Sequence, residues 1–130
     1  MASLSGLRKF SVKKASVGEP RAYVAWAMRA GYERTIDFAR EIRMVIEFTH
    51  EGREVTDYVV VLVRGEGKAA ETIRVYDSVH GHNEMHRYTS SGGKQTGKPF
   101  HSGSLGEGMR SAIADIERGH RKMIQGWERQ

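Results

Sequence analysis

Residues 77–88 read Asp-Ser-Val-His-Gly-His-Asn-Glu-Met-His-Arg-Tyr. Three of the chain's six histidines, His80, His82 and His86, fall within this run, with Asp77 just before them and Arg87 just after. Histidine is the one side chain whose unperturbed pKa lies near neutrality, and it is the commonest metal ligand. Three chemistries are open to such a cluster. In a metal site, His80 and His82 would be ligands with His86 or Asp77, a set that suits zinc or nickel. That site needs a regular strand through Gly81, where the sequence predicts a bend, so no metal and no cofactor are expected. In a metal-free acid/base site, His80 and His86 would move protons during phosphodiester cleavage, with Arg87 or Lys94 stabilising developing charge. In the plainest reading the imidazoles are surface residues of a hairpin.

Geometry separates these readings. A three-residue turn over 82–84 would set His80 opposite His86, about 5 Å apart at Cβ. A two-residue turn would set His80 beside Met85 instead. The expected catalytic set is Asp77, His80, His86 and Arg87, with Arg74, Lys94 and Lys98 as contacts to nucleic acid.

A second motif invites a wrong assignment. Gly92-Gly-Lys-Gln-Thr-Gly97-Lys98 fits the first seven positions of a phosphate-binding P-loop. The eighth is Pro99, where Ser or Thr would hold magnesium, and no helix is expected to start there. A nucleotide-hydrolysing P-loop is therefore excluded. A looser anion site built on backbone amides and two lysines stays open. An HNH-type nuclease is discounted, because the next helix begins well after the hairpin. Trp26 and Trp127 read as core or lid residues and His50 as an exposed turn residue. His101 lies on a loop that could fold back on the cluster.

The elements that must position these residues follow from periodicity. Pro20 can open a helix over 20–30, with Gly31 as its stop; Tyr23, Val24 and Trp26 would also suit a strand. A short strand is expected near Phe10–Val12. Residues 42–49 alternate, with Ile42, Met44, Ile46 and Phe48 on one face and Arg43, Glu47 and Thr49 on the other, Val45 being the exception. Residues 50–53 form a turn. Tyr58–Val63 is uninterrupted apolar sequence, as in a central strand covered on both faces. Gly65-Glu66-Gly67 makes the next turn. A third strand is expected over Thr72–Val79, with Ile73, Val75 and Val79 on one face, and a return strand over 85–89. The short connections predict an antiparallel meander.

Residues 90–103 read as a Gly/Ser/Lys loop. Ser104-Leu-Gly-Glu107 is a capping box. Leu105, Met109, Ala112, Ile113, Ile116, Met123, Ile124 and Trp127 then follow helical spacing, with His120 in the same stripe. The fold class expected is α+β: an antiparallel four- to five-stranded meander packed by a long C-terminal helix.

The 130 residues suit one domain over 19–130 behind a flexible basic segment over 1–18. A chain of this size buries roughly two thirds of its unfolded surface and needs no staples. There are no cysteines, which excludes disulfides and thiol nucleophiles and suits a cytoplasmic location. No run approaches the ~20 apolar residues of a membrane span, and the N-terminus lacks the apolar core of a secretory signal. The net charge of +5 favours acidic partners, RNA among them, by long-range attraction and counterion release.

The run Arg74-Val-Tyr76-Asp77-Ser-Val-His80-Gly81, followed by His86 on the return strand, resembles a pattern of the TumE-like toxin group and related uncharacterised actinobacterial small-protein families. The likeness covers about residues 40–127. Val75 between Arg74 and Tyr76, the additional His82 and the long Gly/Lys loop depart from the pattern. The resemblance implies a compact α+β domain and a toxin-like role on RNA or a cellular protein, with an antitoxin as a further partner. The alternative expectation is a non-enzymatic phage or mobile-element accessory protein that binds a protein or nucleic acid. An apolar central strand with one covering helix also leaves sheet surface that a homodimer would cover.

Overall fold

The computed structural model describes residues 8–11 and 30–130. Seven strands form one sheet in chain order: β1 Arg8–Ser11, β2 Ala30–Ala39, β3 Ile42–Glu51, β4 Glu54–Arg64, β5 Glu71–Asp77, β6 Asn83–Arg87 and β7 Lys98–His101. Every neighbouring pair is antiparallel. One helix follows, α1 Leu105–Glu128. The architecture is the expected antiparallel meander with a long C-terminal helix, carrying more strands than the four or five expected. β1 answers the expected short strand near Phe10–Val12. The rest of 1–18, and the helix expected over 20–30 up to residue 29, lie outside the described residues; Ala30 opens β2.

The meander is built by short turns. Gly52 adopts φ 57 between β3 and β4, a left-handed geometry that glycine takes without a Cβ clash. Gly65, at φ 91, ends β4; a Cβ there would lie 2.7 Å from the Ala69 carbonyl oxygen.

Registered partners define two faces. Met44, Leu62, Arg74 and Arg87 form one cross-strand row, with Ile46, Val60, Tyr76 and Met85 in the row beside it. This face carries α1: Met109, Ala112, Ile113 and Ile116 are buried against the sheet core. His120, in the same stripe, stacks on Phe38 with ring centroids 4.1 Å apart. Ser104 and Glu107 exchange both hydrogen bonds of the capping box that starts the helix.

The opposite face holds Val45, Val61, Val75 and His86 in one row and Glu47, Val59, Asp77 and Glu84 in the next. Its centre is buried as well, so Tyr58–Val63 is covered on both faces as its composition requires. Glu47 corrects the simple alternation read for β3: it is 1% exposed rather than facing solvent.

Candidate functional site

The third strand ends earlier than its composition indicates. Thr72–Val79 does not continue as strand: β5 stops at Asp77, and Val79 is 62% exposed instead of facing the core. The cause is local. The Asp77 carboxylate accepts the Val79 amide at 3.2 Å, folding the chain back on itself, and the Gly81 amide then donates to the Ser78 carbonyl oxygen with Gly81 at φ 83. Neither short turn forms. The ladder pairs Asp77 with Glu84, Tyr76 with Met85 and Val75 with His86. His80 therefore does not face His86 across the hairpin; it sits exposed on the connecting loop.

The structure gathers a different group. Asp77, Glu84 and His86 are all buried, and one ligand atom from each lies within 4.8 Å of the others. His86 Nε2 is 3.5 Å from Asp77 Oδ2. His80 and His82 serve this group from its rim: His80 Nδ1 is 2.6 Å from Glu84 Oε1, and His82 Nε2 is 3.6 Å from Glu84 Oε2. Of the two histidines expected to be central, only His86 joins the cluster; His80, with the turn residue His82, flanks a carboxylate that was itself read as part of the turn.

The loop after β6 closes over the cluster. Gln95 donates its amide to the Arg87 carbonyl oxygen, Tyr88 and Lys94 form an isolated bridge, and Gly97 abuts the site. A Cβ on Gly97 would come within 2.4 Å of His86 Cε1 and 2.9 Å of Glu84 Oε2. Only a residue without a side chain fits there.

His86 Nδ1 lies 3.4 Å from the Gln95 carbonyl oxygen. A carbonyl can only accept, so Nδ1 is the nitrogen that donates there, and Nε2 is the one that faces Asp77. An imidazole nitrogen and a carboxylate oxygen 3.5 Å apart are held together by a proton or a cation between them. Burial pushes the Asp77 carboxyl above its ordinary range and Glu84 adds to the rise; the Val79 amide, His86 and Lys94 offset part of it. Glu84 moves the other way, held below the usual carboxylate range first by its hydrogen bond from His80. Two neighbouring carboxyls are thereby pushed apart in acidity, an arrangement common at functional sites.

The basic residues divide between the two faces. Lys94 acts on Asp77. Arg74 and Arg87 are registered opposite each other in the row that carries α1, away from His86. Lys98 pairs with Met85 and is exposed. His101 does not join the cluster; its Nδ1 accepts the Gly103 amide at 3.0 Å beside the start of α1. His50 is exposed, as expected, and stacks on Tyr32 at 5.2 Å. Trp127 is a core residue, 8% exposed; Trp26 lies outside the described residues.

Sequence reasoning missed two parts of the site. Glu84 was legible as a carboxylate within the 77–88 run, but its partnership with Asp77 required the ladder register. Asn83 was not singled out. It is 2% exposed, receives the Tyr58 hydroxyl at 2.8 Å, and donates toward the carbonyl oxygens of His101, Gly103 and Ser104. It ties the start of β6 to the start of α1 and so holds the cluster's second strand in place.

A family model matches residues 28–130. The chain belongs to the family described as a domain of unknown function, DUF7718. The DUF7718 match spans β2–β7 and α1 entire, so Asp77, Glu84 and His86 all lie inside the family domain. No curated protein and no solved structure matches the chain.

Proposed function

We propose that this protein binds a divalent cation between Asp77, Glu84 and His86 and uses it in a toxin-like hydrolysis of RNA. The observation that carries the reading is the orientation of His86. Its Nδ1 faces a backbone carbonyl while its Nε2 faces a buried carboxylate. A histidine that ligates a metal typically donates its other N–H to such an acceptor. The 3.5 Å between His86 Nε2 and Asp77 Oδ2 matches the edge of a tetrahedron of ~2.1 Å bonds, about 3.4 Å. Two carboxylates and one imidazole suit zinc or manganese, and three protein ligands leave a coordination position for water. A cation there also offsets the charge that burial penalises on Asp77. Held by these three residues, such an ion would supply Lewis acidity, activating water for hydrolysis of a phosphodiester. Lys94, exposed and close enough to act on Asp77, adds positive charge that would attract a phosphate.

A second reading has its own observation. The side chains of Asp77 and His86 are only 5% and 7% exposed, under a loop that Gly97 presses against the site. This enclosure suits an accessory protein in which the cation orders the hairpin and loop while a macromolecular partner binds elsewhere.

The test uses the full chain, stripped with chelator and titrated calorimetrically with Zn²⁺ and Mn²⁺, then incubated with RNA in each form. One cation per chain, lost in Asp77→Asn and Glu84→Gln, with RNA cleaved only by the loaded wild type, supports the hydrolase. Binding without cleavage supports the accessory role. No binding sinks the cation site, and cleavage that persists without cation and is lost in His86→Gln returns the chemistry to metal-free acid/base catalysis.

A further inference from the structure

On the face that carries α1, the ladder sets Arg74 directly opposite Arg87. Like charges in directly opposed positions destabilise a sheet. The helix then adds a third cation. Lys122 joins Arg74 and Arg87 around a cavity of 220 Å³, also lined by Tyr88, Trp127 and Gln130, and no acidic side chain lines it among the described residues. Its walls hold surplus donors: Arg74 Nε and Trp127 Nε1 are buried and find no acceptor among the described residues. Buried donors are nearly always satisfied in folded proteins, so each of these two calls for an acceptor in the cavity, a water or a bound anion.

The nearby acidic side chains are paired outside the cavity. Glu128 is taken by Arg64 at 2.8 Å, and Arg64 lies over the outer part of the core at 5.8 Å from the Trp127 ring. Asp115 is paired with Arg118 at 3.1 Å. Arg74 does reach the Tyr76 hydroxyl, a neutral group that burial keeps protonated. The Ser90 hydroxyl donates to a main-chain oxygen of Gln130 at the cavity's edge.

We propose that this cavity between β5, β6 and the last turns of α1 is an oxyanion site that takes a phosphoryl group, held by Arg74, Arg87 and Lys122. Three cations match the charge of a phosphate better than that of a single carboxylate. Guanidinium groups present paired N–H donors in a fork that fits two phosphate oxygens at once, and the ammonium adds a point charge. The size agrees: sites for whole drug-sized ligands run from roughly 300 Å³ upward, so this one accepts the phosphoryl group while the remainder of the ligand stays outside. The site shares no residue with the Asp77–Glu84–His86 cluster, because Arg87 and His86 alternate onto opposite faces of β6, and it stands or falls independently of the cation reading.

Two sources of a phosphoryl group are distinguished by one experiment. Uniformly ¹⁵N-labelled full-length protein is titrated with inorganic pyrophosphate at constant ionic strength, and the indole N–H resonance of Trp127 is followed. A saturable shift is expected. Arg87→Gln, at an exposed position, should weaken pyrophosphate binding about tenfold or more, as loss of a charge-assisted hydrogen bond does. Lys122→Gln should act in the same direction. Unlabelled single-stranded oligoribonucleotide is then added to the complex. Displacement of pyrophosphate assigns the site to backbone phosphate, and retention assigns it to a small phosphorylated molecule. A shift that never saturates, or equal affinity in wild type and Arg87→Gln with both spectra well dispersed, overturns the proposal.

Discussion

Replacing Gly108 by Ala should destabilise this protein even though the same change in an exposed helix interior stabilises it. Gly108 lies in the first turns of α1 and is buried. By propensity alone, Ala gains about 1 kcal/mol over Gly in a helix. Here a Cβ would sit 1.9 Å from Asn83 Oδ1 and 2.2 Å from Asn83 Cγ. Asn83 cannot simply move away, since it joins the Tyr58 hydroxyl to the carbonyl oxygens before α1. If it stays, overpacking costs up to about 3 kcal/mol. If it swings out, its two N–H groups and its oxygen lose up to three hydrogen bonds at about 1 kcal/mol each, and the buried Tyr58 hydroxyl is left unpaired. Either route leaves a net loss of about 2 kcal/mol after the propensity gain. Gly126 in the same helix is the control. Nothing lies within 4 Å of a Cβ there, so Gly126→Ala should gain up to about 1 kcal/mol. Urea unfolding followed by circular dichroism measures both. A Gly108→Ala variant as stable as wild type, beside a stabilised Gly126→Ala, would refute the argument that Asn83 locks the helix to β6.

Further outcomes follow from the same geometry. Gly97→Ala should lift the loop from the cluster, because a Cβ would press on the buried His86 ring, and it should weaken Zn²⁺ or Mn²⁺ binding measured by calorimetry; unchanged affinity would count against loop closure as part of the site. Arg87→Gln should raise thermal stability by about 0.2–1 kcal/mol while losing pyrophosphate binding, since it removes a like-charge pair from the ladder; a stability loss on melting would contradict this. Alkali should unfold the protein from about pH 10 upward. Burial pushes the Tyr88 hydroxyl up to about 12, and Tyr58 and Tyr76 shift in the same direction. The unfolded tyrosines ionise near pH 10 while the folded ones hold their protons, so this stabilisation is complete below pH 10 and is lost as pH rises toward 12. Melting curves that do not move between these limits would show the three hydroxyls to be solvated.

Much of the fold was legible because it is written in local pattern. The apolar run Tyr58–Val63 required cover on both faces, and both faces are covered. Ser104 and Glu107 announced the helix start three residues apart, because a capping box needs only those two side chains and their own amides. β2 and β7 were not read: Ala30–Ala39 mixes charged and apolar residues, and Lys98–His101 begins with Pro99 as its second residue inside a glycine-rich stretch. Such edge-proximal strands are held by neighbours, not by propensity.

The candidate site shows where local pattern stops. The sequence alone determined that residues 77–88 hold the densest group of histidines and that they lie at a sheet end beside a glycine-rich loop. The sheet decided which of them meet. Because the Asp77 carboxylate captured the Val79 amide, β5 ended early, so His86 came to face Val75 rather than His80, and Glu84 came to face Asp77. Alternation along β6 then sent His86 to one face and Arg87 to the other, dividing what reads as one motif into a buried carboxylate–imidazole cluster and a cationic cavity under α1. Side chains in a strand point alternately up and down, so adjacency in sequence places neighbours on opposite sides of a sheet, and only cross-strand register brings distant residues together.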